Sequence, residues 1–140
     1  MKVLAKFSSF YTDLASMKID DLSLIYSLDV LFIDPISQHR GLAAIEIYFA
    51  KLLENIKDCH FVIHSQQTCD NGQCIVNWTM KFKTAKMKQG KPITVDGITM
   101  LKLENDKITF QRDYYDLGQM VYENIPLLGI IIKKIRRSMA

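Results

Sequence analysis

An aspartate sits in the middle of a strand. Arg112-Asp113-Tyr114-Tyr115-Asp116 closes a run from Ile98 to Tyr115 that otherwise reads as a β-hairpin. Carboxylates are poor strand residues. Asp113 therefore faces water, or pairs with a cation such as Arg112, or points into a cavity where its charge is used. In an apolar cavity its carboxyl titrates above the usual range and can serve as acid or base. Gln111 and Tyr115 share its strand parity, whereas Arg112 and Tyr114 have the opposite parity and suit a partner-facing surface. A second acid, Asp34, precedes Pro35, which biases it to extended backbone at a strand end. There its side chain either lies at the mouth of the domain or starts an Asx-turn. Asp116 reads as a helix N-cap, because Gln119 three residues on gives capping-box spacing.

Other chemistries find little support in the residues. His60 and His64 are four apart on an expected strand, roughly 13 Å from each other and too far to share a metal. His39 lies in the Ser37-Gln38-His39-Arg40 loop and is expected to be exposed. The three cysteines lack zinc spacing. A two-residue turn at Asn71-Gly72 would set Cys69 opposite Cys74, close enough for a disulfide, although reduced thiols are the expectation. No serine-histidine-aspartate spacing and no phosphate-binding glycine loop is found. No metal and no organic cofactor is expected.

The elements that must position these residues follow from periodicity. Phe7, Phe10, Tyr11, Leu14 and Met17 mark one face of a helix. Asp20 is placed to cap a short second helix carrying Leu22, Ile25 and Tyr26. Leu31-Phe32-Ile33 reads as a short strand stopped at Asp34-Pro35. A third helix follows Arg40-Gly41, with Leu42, Ile45, Phe49, Leu52, Leu53 and Ile56 as its apolar stripe. From residue 60 the period becomes two. Cys74, Val76, Trp78, Met80 and Phe82 alternate with polar neighbours, and turn signals cut residues 60 to 115 into four antiparallel strands. Trp78, Met80 and Phe82 read first as core. Helices grouped before an antiparallel sheet make an α+β domain, and three helices cannot cover a flat five-stranded sheet, so a curled, cone-like one is expected.

The 140 residues, 49% hydrophobic and 24% charged, fit one globular domain spanning 1–140. The net charge of +3 is concentrated in the tail and does not argue for nucleic acid. No apolar run has the length of a membrane span, the N-terminus does not read as a signal peptide, and the expected location is the cytoplasm. The basic amphipathic tail, 126–140, is expected to cap the cone, to pack on a dimer mate or to touch an anionic membrane, with packing on protein preferred.

Asp29-x-x-Phe32-x-Asp34-Pro35, Arg40-Gly41-x-x-x-Ile45, Val95-Asp96-Gly97, Asn105-Asp106-Lys107-Ile108 and Arg112-Asp113-Tyr114-Tyr115-Asp116 together resemble the SnoaL-like and ketosteroid-isomerase-like families of the nuclear transport factor 2-like superfamily. The resemblance covers nearly the whole chain and is specific for fold rather than activity. It implies a cone-shaped α+β barrel of the cystatin-like kind, its sheet wrapped around the N-terminal helices, dimeric through the outer sheet face, with an acid-bearing apolar pocket. Gln111, Asp113 and Tyr115 then face that pocket.

By this resemblance the ketosteroid isomerase base corresponds to Asp34. Those isomerases combine one aspartate base with an oxyanion hole of tyrosine and protonated aspartate. Phe10 stands where they carry the tyrosine, with Tyr11 beside it, and Thr99 falls near the protonated aspartate. These departures argue against steroid isomerisation by that mechanism. Limonene epoxide hydrolases resemble the last strand and match Asp113, but Met80 and Phe82 replace their arginine and aspartate and Gln111 replaces their pocket tryptophan.

The expected function is binding of a small, largely apolar molecule, with Asp113 or Asp34 moving a proton next to a carbonyl as in isomerases and polyketide cyclases. Phe10, Tyr11, Trp78, Met80, Thr99, Gln111 and Tyr115 are the expected ligand contacts. A non-catalytic binding or adaptor protein of the same fold is the alternative, and an epoxide hydrolase a weaker one.

Overall fold

The computed structural model describes residues 2–140. Helix α1 spans Lys2–Thr12 and is followed by two 3₁₀ segments, Leu14–Ser16 and Ile19–Leu24. Phe7, Phe10, Tyr11 and Leu14 are buried as the periodicity requires. The helix itself begins and ends earlier than the apolar stripe suggests. Asp20 is not a cap: Lys18 occupies that position, and Tyr26 opens a strand rather than riding on a helix. Strand β1 runs Tyr26–Ile33, β2 Gln38–Arg40, and α2 Leu42–Asn55. Leu42, Ile45 and Phe49 bury the face of α2 foreseen from their spacing.

The four-strand meander is present as β3 (Lys57–Thr68), β4 (Gln73–Lys83), β5 (Ile93–Glu104) and β6 (Lys107–Tyr115). All six strands form one sheet in the order β2-β1-β6-β5-β4-β3. The sheet is antiparallel except where β1 lies parallel to β6, and β2 is a sixth strand added by pairing on β1. His39 therefore sits on a strand and is partly buried rather than in an exposed loop. Register shifts in the β1–β6, β3–β4 and β5–β6 ladders mark irregularities that bend the strands. The concave face receives α1 and α2, and between them lies one continuous apolar core.

The β3–β4 hairpin departs from the two-residue turn. The Cys69 amide donates to the Gln73 carbonyl and the Gly72 amide to the Cys69 carbonyl, with φ of +76° at Gly72. That is a three-residue loop with a glycine bulge. It sets Thr68, not Cys69, opposite Cys74. All three cysteines are free, Cys69 exposed and Cys74 buried.

Beyond β6 come α3 (Leu117–Met120), a 3₁₀ turn at Tyr122–Asn124 and α4 (Leu128–Met139). Asp116 caps α3 as foreseen, its Oδ1 accepting the Gln119 amide at 3.2 Å. The Gln119 side chain does not close the capping box but accepts the Asp96 amide on β5. The tail does not cap the cone, because Gly129 is the one buried residue of α4. No described helix is long and apolar enough to cross a membrane.

Candidate active site

On β4 the expected alternation holds, with Cys74, Val76, Trp78, Met80 and Phe82 all buried. Trp78 lies across Gly97 on β5, and a Cβ added at Gly97 would fall 2.3 Å from the indole. The missing side chain is what lets the indole lie flat over the next strand. The indole nitrogen then donates to Thr99 Oγ1 at 2.8 Å, and the Thr99 hydroxyl donates to Asp113 Oδ1 at 2.7 Å on the paired residue of β6.

A second route reaches the same oxygen. Gln111 is fully buried, and its Nε2 donates to Asp113 Oδ1 at 3.1 Å and to the Tyr11 hydroxyl at 3.2 Å. Its Oε1 accepts from Tyr26 Oη at 2.5 Å. Both amide hydrogens of Gln111 are thereby used, and the proton of Tyr26 is committed to Oε1. The remaining bond, 2.7 Å between the two phenols, must then run from Tyr11 to Tyr26. Burial pushes both phenols well above their ordinary range, so they stay neutral.

This closed network fixes Oδ1 with two donors. Oδ2 takes no hydrogen bond from a described residue. Because no sealed side-chain polar atom among the described residues is left unpaired, Oδ2 opens to the cavity. Burial, opposed by the Thr99 and Gln111 hydrogen bonds and assisted by the Asp34 charge, raises the Asp113 carboxyl from 3.8 to about 6. The Tyr115 hydroxyl, two residues on and with the same parity, is likewise free of protein partners and opens to the cavity. Burial, then the charges of Asp34 and Asp113, keep it protonated.

Asp34 reaches the same cavity in a different condition. Its Oδ1 accepts the amides of Ile36 and Ser37, both at 2.8 Å, which is the Asx-turn. Its Oδ2 accepts the Tyr48 hydroxyl at 2.9 Å. Asp34 is thus an Asx-turn residue that also lines the cavity, with both oxygens already accepting hydrogen bonds.

The cavity measures about 50 Å³ and is lined by Tyr11, Asp34, Tyr48, Trp78, Met80, Asp113, Tyr115 and Met120 among mostly apolar neighbours. Of the residues foreseen as ligand contacts, Tyr11, Trp78, Met80 and Tyr115 are brought together here. Thr99 and Gln111 lie behind Asp113, almost or wholly buried, and position it. Phe10 instead lines a separate, open groove of about 490 Å³ beside the 3₁₀ segments. Sequence reasoning misses Tyr26 and Tyr48. Periodicity puts Tyr26 on a helix, and Tyr48 falls outside the apolar stripe of α2, although a tyrosine three residues after Ile45 lies on the same side of the helix. The outer sheet face carries Arg112 and Tyr114 as their parity requires, the guanidinium stacked 4.9 Å from the ring centroid, and His60 and His64 are exposed. Among the described residues no cluster of histidine, cysteine or acid is placed to hold a metal.

Three comparisons bear on this arrangement. Solved structures resemble the chain in fold. One is a protein of ketosteroid isomerase-like fold from Catenulispora acidiphila, solved with trimethylamine (17% identity, TM-score 0.73, 84% of this chain and 88% of that one covered). A second is a candidate SnoaL-like polyketide cyclase from Shewanella denitrificans (19%, 0.71, 85% and 91%). A third is an LEH-like epoxide hydrolase from M. tuberculosis (14%, 0.68, 85% and 79%). At these identities the likeness is one of fold. No curated protein matches. The SnoaL-like domain model matches residues 7–111, which take in the second half of α1, helix α2, strands β1 to β5 and the start of β6 as far as Gln111, and on that match the chain belongs to the SnoaL-like family.

Proposed function

We propose that this protein is a cofactor-independent enzyme that moves a proton next to the carbonyl of a small apolar molecule, with Asp113 as the base and the Tyr115 hydroxyl as the donor to the carbonyl oxygen. The observation that carries the reading is the free Oδ2 of Asp113, opening to an apolar cavity beside an unpartnered phenol while Oδ1 is held by Thr99 and Gln111. A base with a pKa of about 6 is ionised at neutral pH yet close enough to it to return the proton. A neutral phenol donates to an oxyanion as it forms. Asp34 serves as the second wall: both its oxygens are occupied, so it orients Tyr48 and shapes the cavity.

About 50 Å³ holds a few waters rather than a drug-sized ligand, for which ~300 Å³ is a lower bound. A substrate therefore enters by displacing a lining side chain. Met120, flexible, half-buried and on the short α3, is the one suited to move. Epoxide hydrolysis is not favoured, because Met80 and Phe82 are buried apolar residues at the positions where the resemblance places its arginine and aspartate. The exposed Val62, Ile75, Ile98 and Tyr114 on the outer sheet face support a homodimer.

The test is exchange of α-hydrogens of small cyclic ketones and enones in D₂O, followed by NMR. Exchange by the wild type that disappears in Asp113→Asn supports the reading. A wild type that binds these compounds without exchanging them makes this a non-catalytic ligand-binding protein.

A further inference from the structure

We propose that α4 is an interfacial anchor that lays its aliphatic face on an anionic lipid bilayer. Leu128, Ile131, Ile132, Ile135 and Met139 fall at i, i+3, i+4, i+7 and i+11, one stripe of the helix. In a folded chain such a stripe is normally covered. Here Ile131 is 54% exposed, Ile135 52% and Met139 82%, while Ile132 is half-buried and the exposed Ile130 lies on the opposite face of the helix.

The helix is nevertheless fixed in place. A Cβ at Gly129 would lie 2.4 Å from the Glu123 carbonyl oxygen, so glycine allows the first turn to sit directly on the 3₁₀ turn before it. At the far end Arg136 reaches back to the Glu123 carboxylate at 2.6 Å. Glu123 thus pins the helix at both ends through a glycine and a cation, neither of which belongs to the aliphatic stripe. The chain holds α4 by the flank that carries Gly129 and Arg136 and leaves most of its aliphatic stripe outward.

Charge selects the occupant. Helix α4 carries Lys133, Lys134, Arg136 and Arg137 and no acid. At 100° per residue, Lys134 and Arg136 flank the stripe, and Lys133 and Arg137 lie on the opposite face. Two copies paired along the stripe would bring their Lys134 ammoniums together with no acid on either α4 to offset them, since Glu123 is already engaged by Arg136. Anionic headgroups neutralise the same cations while the acyl boundary receives the isoleucines. A 12-residue helix lies in the interface and does not span it.

The measurement is co-sedimentation of the full chain with vesicles of phosphatidylglycerol and phosphatidylcholine in equal parts, against phosphatidylcholine alone. The wild type is expected to pellet with the anionic vesicles only, and less so as salt rises. Ile131→Asp/Ile135→Asp, two exposed positions whose replacement leaves the barrel's circular dichroism unchanged, is expected to remain in the supernatant. Lys134→Ala, which removes a cation flanking the stripe, is expected to weaken binding about fivefold. A wild type that stays in the supernatant overturns the proposal, as does binding that survives the double aspartate variant. A dimer that dissociates in that variant, with no vesicle binding by the wild type, assigns the face to a second copy instead.

Discussion

The Asp34 turn and the Asp113 strand come from neighbouring strands, β1 and β6, and deliver two carboxylates to one cavity. At Asp34 three donors occupy both oxygens, two of them backbone amides of its own turn. At Asp113 two donors converge on a single oxygen, and both come from side chains on the strand itself and the next one. The difference lies in what a strand offers. A carboxylate at a strand end can fold back onto following amides, whereas in mid-strand the amides are already committed to the ladder. The mid-strand acid must be satisfied by side chains, and the network here satisfies one oxygen and leaves the other for a ligand. Where a carboxylate sits on the ladder thus decides whether both of its oxygens are bonded or one is left open.

The contrast can be broken most sharply by Asp113→Asn. Its Oδ1 still accepts from Thr99 and Gln111, so the fold persists while exchange activity falls by about a thousandfold or more, the scale of a lost general base. Equal loss in Asp34→Asn with Asp113→Asn active would reverse the assignment. Next is Asp34→Ala, which strands two amides and the Tyr48 hydroxyl and is expected to lower unfolding free energy by about 3 kcal/mol in urea titrations. Asp113→Asn is not expected to do so.

Linkage gives the third. The folded pKa of Asp113, about 6, lies above its ordinary value of 3.8. The native state therefore holds its proton longer than the unfolded chain, and the contribution is full below pH ~4 and lost as pH rises through ~6. Asp113→Asn should therefore be more stable than wild type at pH ~8, by up to about 3 kcal/mol at ~1.36 kcal/mol per pKa unit, with the gain absent near pH ~4. Turnover should climb through pH ~6 for the same reason. The smallest effect belongs to Tyr115→Phe, which removes the free phenol but no protein hydrogen bond. It is expected to lower kcat by about tenfold to a hundredfold, with the urea midpoint unchanged.

Much of the fold was legible because its signals are local. The alternation through β4, the stripe of α2 and the turn residues between strands each report a periodicity that survives into the folded state. The parity of Gln111, Asp113 and Tyr115 was equally readable, as was the Asp116 cap. What failed were the places where tertiary pairing overrides local preference. Tyr26 belongs to β1 because β6 lies parallel beside it, residues 38–40 become a strand because β1 is there to pair with, and a glycine bulge moved Cys69 out of register.

The sequence by itself determined an α+β chain with an alternating sheet, an acid in mid-strand and a basic aliphatic tail, since composition and period are properties of neighbours along the chain. Only the tertiary structure decided that Asp113 has one bound oxygen and one free, that Asp34 has none free, and that the stripe of α4 stays uncovered. These depend on partners brought from other elements: Gln111 donating to Tyr11, Trp78 donating to Thr99, and Arg136 pairing with Glu123. The first two belong to non-local pairing across the sheet and onto α1. The last places α4 against the 3₁₀ turn and leaves its other face empty.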